Sequence, residues 1–218
     1  VRLIDLSQFH TGTMIQQRAK RYGDKTVFNM IRGDDLHTLS YSDLWSKIQM
    51  TVKALSVLGG PEKPPVIGLL TYNQLNGVLV DLACLSFGIR VIPIPLNSTS
   101  EHLSYILKQS EINHLFVGGK TAIRLWNEVH HNSDILVIGL NDSNLIKGKV
   151  MDWEIFFENQ ARSQSFDVDQ RLSYVSMDRT QTIMYTSGST ANPKGITFNQ
   201  SNIISKRFAR ALALPEFG

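Results

Sequence analysis

Cysteine is almost missing from this chain: Cys84 is the only one among 218 residues. No disulfide framework can therefore form within it. Cys84 stands in the apolar stretch VLVDLACLSFG, where a small core residue is expected, and a chain so poor in cysteine is expected in the reducing cytoplasm. Long hydrophobic runs are lacking too. None approaches the ~18 apolar residues that a membrane span needs, so no transmembrane segment is expected. The opening residues VRLIDLSQFHTG lack a basic region followed by an apolar core, and so do not read as a secretory signal. Charge clusters are also missing along the sequence. Lys and Arg number 22 against 19 Asp and Glu, for a net charge of +3. Scattered in this way, they read as a solvated surface and not as a nucleic-acid footprint. No internal repeat or low-complexity tract interrupts the pattern.

What is present is an alternation of short β-rich runs and apolar helical stretches. TVFNMI (Thr26 to Ile31) reads as a strand, RGDD (Arg32 to Asp35) as a turn, and the residues near HTLS as a second strand. Leu44, Ile48, Thr51, Leu55 and Leu58 recur at helical spacing and define one helix face. Ser40 followed by Asp43 supplies a capping-box start, and Gly59-Gly60 a stop. VIGLLT (Val66 to Thr71) is a buried-strand candidate, followed by a helix from about Asn73 to Phe87 that is apolar around much of its circumference. RVIPI, NHLFVG and DILVIGL read as further strands, with helices between them, one of them capped by Ser98 and Glu101. The segment Asn159 to Asp178 is polar and reads as a linker. The expected fold class is α/β, a mostly parallel β-sheet flanked by helices.

The stretch TIMYTSGSTANPKGITF, Thr182 to Phe198, sets a polar loop between two apparent strands. Thr186, Ser187, Ser189 and Thr190 offer hydroxyls. Gly188 and Gly195 are read as places of close backbone approach or positive φ. Exposed backbone N–H groups, these hydroxyls and the charge of Lys194 suit a polyphosphate. The GxxxxGK[ST] nucleotide loop does not fit, because Pro193 falls on its second glycine and Gly195 on its Ser or Thr. The residues after the loop also read as a strand and not as a helix.

YTSGSTANPKG (Tyr185 to Gly195) resembles the phosphate-binding signature of the adenylate-forming superfamily: acyl-CoA synthetases, luciferases and peptide-synthetase adenylation domains. Ala191 departs from it, standing where the family usually has glycine, and Gln200 stands where a histidine usually follows. LSYSDLWSKIQMTVKALSVLG and LACLSFGIRVIPIPLNSTSEHLSYILKQSEINHLFV are similar to further family segments, and YILKQSE and DWEIFFENQ lean toward the long-chain fatty acyl-CoA synthetase branch.

The resemblance implies carboxylate activation by MgATP to an acyl-adenylate, then transfer to a thiol. Its substrates would be ATP, a fatty acid and CoA, with Mg2+ accompanying ATP; no nucleic acid is implied, and peripheral membrane association is admitted. Thr186, Ser187, Gly188, Ser189, Thr190, Lys194 and Gly195 would hold the β- and γ-phosphates. Residues 1–218 would form the N-terminal portion of an AMP-binding domain, inactive without the rest of the large domain and a small C-terminal domain. A fatty acyl-AMP ligase, a carrier-protein-loading adenylation domain and a non-catalytic nucleotide-binding module are the alternatives.

Other features have plainer readings. His130-His131 is expected at a solvated helix end, since adjacent histidines rarely face one ion. Trp126, Trp153, Phe156 and Phe157 are expected in the core or at an interface. SKRFARA, near Lys206, reads as the exposed face of a helix.

Overall fold

The computed structural model describes residues 7–32, 35–59, 64–129, 134–161, 167–186 and 192–213. His10 opens α1 (Thr11–Tyr22), its side chain accepting from the Thr13 backbone N–H. Next come β1 (Thr26–Arg32) and β2 (Asp35–Ser40), which pair as a separate antiparallel hairpin. Gly33 and Asp34 of the RGDD turn lie outside the described residues.

Ser40 then starts α2 (Tyr41–Leu55) through the expected capping box, donating to and accepting from Asp43. Leu44, Ile48, Thr51 and Leu55 are buried along its inner face. The helix tightens into a 3-10 turn at Ser56–Leu58 before the extended Gly59. β3 spans Val66–Thr71, as the apolar run predicts.

α3 (Leu75–Phe87) begins two residues later than expected. Gln74 stays extended there, its side-chain amide donating to the Thr71 hydroxyl at 2.7 Å. Cys84 is buried in α3. β4 (Arg90–Pro93) leads to α4 (Ser100–Gln109), whose cap is Thr99 and not Ser98. The Thr99 hydroxyl accepts from the His102 N–H at 3.2 Å, while the Ser98 N–H is spent on the Pro95 carbonyl in a preceding turn.

β5 (His114–Gly118), α5 (Lys120–Val129), β6 (Leu136–Gly139), β7 (Val150–Asp152) and α6 (Trp153–Ala161) continue the alternation. Trp126, Trp153 and Phe156 are buried, and Phe116 meets Trp153 and Phe156 edge-on. His130 and His131 lie outside the described residues. The polar stretch after α6 is more than a linker. It carries α7 (Val168–Ser173), capped by Asp167, and is anchored by the buried side chains of Leu172, Val175 and Met177. Three spaced apolar residues in a polar background fix a segment that composition alone reads as loose.

The chain closes with β8 (Thr180–Thr186), β9 (Lys194–Asn199) and α8 (Gln200–Ala213). Seven strands form one sheet in the order β7-β6-β5-β3-β4-β8-β9. Every neighbouring pair is parallel except β8 and β9. The pleat divides the core between the two faces. Ile67, Leu69, Val91 and Phe116 pack under α2 and α3, and Leu70, Ile92, Leu115 and Val117 under α4 and α5.

Candidate functional site

The polar loop joins β8 to β9, the edge strand of the sheet, as a hairpin. Thr186 and Lys194 are opposite one another in the register, and Tyr185 and Gly195 form the next pair down. Thr186 and Lys194 are both exposed. The hydroxyl of the first and the ammonium of the second therefore flank the same loop at its root. Ser187, Gly188, Ser189 and Thr190, with Ala191, lie outside the described residues.

What holds the root in place is Tyr185. Its ring is buried, and its hydroxyl donates to Gln109 Oε1 at 3.1 Å and meets Ser110 Oγ at 2.7 Å. Both partners belong to the C-terminal end of α4, so the hairpin is tied to a helix on the sheet's second face. Gly195 is explained by the same ring. A Cβ at this position would lie 3.0 Å from Ile183 Cγ2 and 3.2 Å from two ring carbons of Tyr185. Its φ is not among the positive ones of the described residues, which belong to Gly88, Gly119 and Gly148 among glycines. Close approach, not left-handed backbone, is what Gly195 supplies.

Gln200 is 0% exposed and lies at the start of α8. Its Oε1 accepts from the Thr11 N–H at 3.1 Å and the Thr11 hydroxyl at 2.8 Å. Its Nε2 donates to the Leu85 carbonyl and to Gln181 Oε1. Gln181, on β8, donates in turn to the Cys84 and Ile89 carbonyls. Gln200 is thus a buried crosslink among α1, α3, β8 and α8, with both its donors and its acceptor in use. Asn199 and Asn202 cap α8 reciprocally, each side-chain oxygen accepting from the other's backbone N–H at 3.0 and 2.8 Å.

On the other face of the hairpin, Met184, Thr182 and Phe198 line a cavity of about 600 Å³ with Asp81 and Asn202. Burial pushes the Asp81 carboxyl up to about 6. Among the described residues no group of three His, Cys, Asp or Glu could hold a metal ion.

The structure therefore brings together Thr186, Lys194 and Gly195 of the expected set. Sequence reading missed Gln109 and Ser110. The only trace of them is a Gln-Ser pair at a helix end, and nothing local connects it to a tyrosine 75 positions away.

Fold and site together define an α/β domain on a mostly parallel sheet, with a hydroxyl- and glycine-rich hairpin at one edge. The chain belongs to the AMP-binding enzyme family, whose sequence model matches residues 15–215. It is similar to the long-chain-fatty-acid–CoA ligase ACSBG2 of Xenopus laevis, with 23% identity over 193 residues, 87% of this chain and 26% of that protein. A mycosubtilin synthase polypeptide of Bacillus subtilis is 26% identical over 172 residues, 77% of this chain and 6% of that protein. Among solved structures, the fatty acyl-adenylate ligase of L. pneumophila, in complex with acyl adenylate and pyrophosphate, superposes with a TM-score of 0.67 at 18% identity. That likeness covers 93% of this chain and 32% of the ligase. The chain thus spans about a quarter of the curated ligase it resembles.

Proposed function

We propose that this chain is the N-terminal portion of a longer adenylate-forming enzyme that activates a carboxylic acid, a long-chain fatty acid being the substrate the relatives favour. In the first step a carboxylate oxygen attacks the α-phosphorus of ATP. An oxygen–phosphorus bond forms, the α–β bridge breaks, and pyrophosphate leaves. In the second, the thiol of CoA loses its proton, attacks the acyl carbon and displaces AMP. The observation that carries this reading is the Thr186–Lys194 pair at the root of the polar hairpin. Ser187, Gly188, Ser189, Thr190 and Gly195 complete the proposed cradle for the β- and γ-phosphates. Such a cradle acts by position and charge, as in phosphoryl transfer generally. Mg2+ would arrive with ATP's phosphates. A reducing cytoplasm belongs to the proposal, on the ground that the sole cysteine is buried.

The test is ATP–pyrophosphate exchange with a panel of fatty acids, run on the longer protein and on residues 1–218. Acid-dependent exchange is expected from the longer protein only; exchange by residues 1–218 overturns the division of labour. Lys194→Ala in the longer protein should raise KM for ATP roughly 10- to 100-fold, as the loss of one charge-assisted contact does. Unchanged kinetics would remove Lys194 from the site.

A second reading is adenylation that feeds a carrier protein instead of CoA, favoured by the similarity to the mycosubtilin synthase polypeptide. Acyl transfer to CoA by the longer protein decides against it. The case for a non-catalytic module is weakened at Gln200. That residue is fully used as a crosslink, so its departure from the usual histidine has a structural reason of its own.

A further inference from the structure

β5, β3, β4 and β8 are neighbours and run parallel, so their amino ends meet at one rim of the sheet. A cavity of about 500 Å³ opens at that rim. Arg90 is the first residue of β4, Thr180 the first of β8, and Arg179 and Asn113 directly precede β8 and β5. All four line the cavity. The two arginines are far apart in sequence, and the pairing of β4 with β8 brings them to one space. Among the described residues neither guanidinium has a hydrogen-bond or ion-pair partner, although Arg90 is partly buried. Glu111, exposed, lines the same cavity without pairing to either. Two like charges held side by side repel, and an anion between them removes that cost.

The walls are fixed before any ligand arrives. Asn113 Oδ1 accepts from the Val66 N–H at 2.9 Å, and the Asn113 N–H donates to the Val66 carbonyl at 3.2 Å. These bonds lock β3 to β5 at this end and leave Asn113 Nδ2 as a further donor. Pro65 is buried and enters β3 with its φ set by the ring. A preformed site spends little of its binding energy on ordering.

The donor set indicates what fits. Two guanidinium forks, one amide and the Thr180 hydroxyl line the cavity, and one positive charge is left over after Glu111 is counted. A carboxylate brings two oxygens and a single charge. A phosphate monoester brings three acceptor oxygens and nearly two charges at neutral pH, which matches two arginine forks better. The space beyond the arginines has room for the ester's organic part, and Glu111 can accept from a hydroxyl there.

We propose that this cavity binds a small hydroxyl-bearing phosphate monoester, its phosphate held by Arg90 and Arg179. The site is at the opposite end of β8 from the phosphate-loop root. Thr180 and Thr186 mark the two ends of that strand, about 20 Å apart at ~3.3 Å per residue. None of the residues lining the cavity belongs to α8. The proposal does not depend on carboxylate activation, and its test involves no turnover, so the two readings can fail separately.

The experiment is calorimetric titration of the longer protein with glycerol 3-phosphate, with circular dichroism confirming that each variant folds. Saturable binding is expected, with glycerol giving none and succinate binding more weakly. R90Q/R179Q should weaken binding by about 10-fold or more, as the loss of charge-assisted hydrogen bonds does. R90K/R179K keeps the charge but not the forks, and should weaken it too. E111Q should strengthen it about 2- to 5-fold, since one nearby like charge is removed. K47Q/K53Q on α2, an equal loss of charge elsewhere, and K194A at the phosphate loop should leave it unaltered. Absence of saturable binding overturns the proposal. So does undiminished binding by folded R90Q/R179Q or R90K/R179K, succinate binding as tightly as the phosphate, or an equal loss with K47Q/K53Q or K194A.

Discussion

The phenol of Tyr185 is buried, and its hydroxyl sits between the Ser110 hydroxyl and the Gln109 amide. A buried polar atom with two partners resists displacement, because leaving it unpaired costs more than the bond gains. Tyr185 directly precedes Thr186, and its cross-strand partner Gly195 directly follows Lys194. Where the ring sits therefore decides where both loop-flanking side chains emerge. Tyr185→Phe keeps the ring and removes the tie, and should cost about 1–2 kcal/mol in urea denaturation. In the longer protein it should raise KM for ATP while leaving KM for the acid unchanged; equal shifts in both would mean that the tie does not position the phosphate loop. Gly195→Ala drives a methyl toward Ile183 and the ring and should cost about 1–3 kcal/mol, as overpacking does. The penalty should shrink in a Tyr185→Ala background, since residues in contact do not add independently. An unchanged penalty would show that the ring is not what demands glycine.

Among the elements, α8 is joined to the rest of the domain by an amide more than by apolar packing. Ile204 is its one buried large apolar residue, whereas Gln200 reaches Thr11 on α1, Leu85 on α3 and Gln181 on β8. Gln200→Ala strands those partners in the interior and should lower stability by about 2–4 kcal/mol, more than one surface bond is worth. A loss below about 1 kcal/mol in urea denaturation would mean that water replaces the amide. This network marks the boundary of what the sequence can disclose. Ser40 and Asp43 are three residues apart and so predict their own capping box, and the apolar runs of β3 and β5 announce buried strands by composition. Signals of that kind are local, and they survive into the structure. The partners of Gln200 and Tyr185 are distant in sequence and come together only because the parallel sheet sets β8 beside β4. Thr99, not Ser98, caps α4, its hydroxyl accepting from the His102 N–H while Ser98 belongs to the preceding turn, a choice between adjacent hydroxyl residues that no pattern reveals. The motif residues Thr186, Lys194 and Gly195 were legible, but the reason for Gly195, the face of a tyrosine ring, was not.

For the whole molecule, the half-buried carboxyl of Asp81 makes stability depend on pH in a direction opposite to the usual acid denaturation. Burial raises it to about 6 in the folded chain, well above an ordinary aspartate. Between that ordinary value and about 6 the folded state binds the extra proton, and stability falls as the unfolded state binds fewer protons than the native one. The contribution is thus fully present below the unfolded pKa and lost as pH rises through the folded one. From the ordinary aspartate value to about 6, at 1.36 kcal/mol per unit, the loss amounts to roughly 3 kcal/mol. The cations sharing the cavity, Arg18, Lys206, Arg207 and Arg210, are exposed, so water screens them from the carboxylate. His10 works the other way. Burial lowers its pKa, so its contribution is present above the unfolded value and lost as pH falls through the folded one. A bare stability profile mixes these two with the other shifted groups, among them His114, whose pKa burial also lowers, and the difference between variants isolates the part due to Asp81. Asp81→Asn keeps the shape and cannot ionise. It should match wild type near pH 4 and exceed it increasingly up to pH 7, by about 3 kcal/mol, or some 6–12 °C in thermal midpoint for a domain of this size. A pH-independent difference would locate the Asp81 effect in packing instead of proton binding, and wild type exceeding the variant at pH 7 would mean that the carboxylate has found a counter-charge in the folded chain.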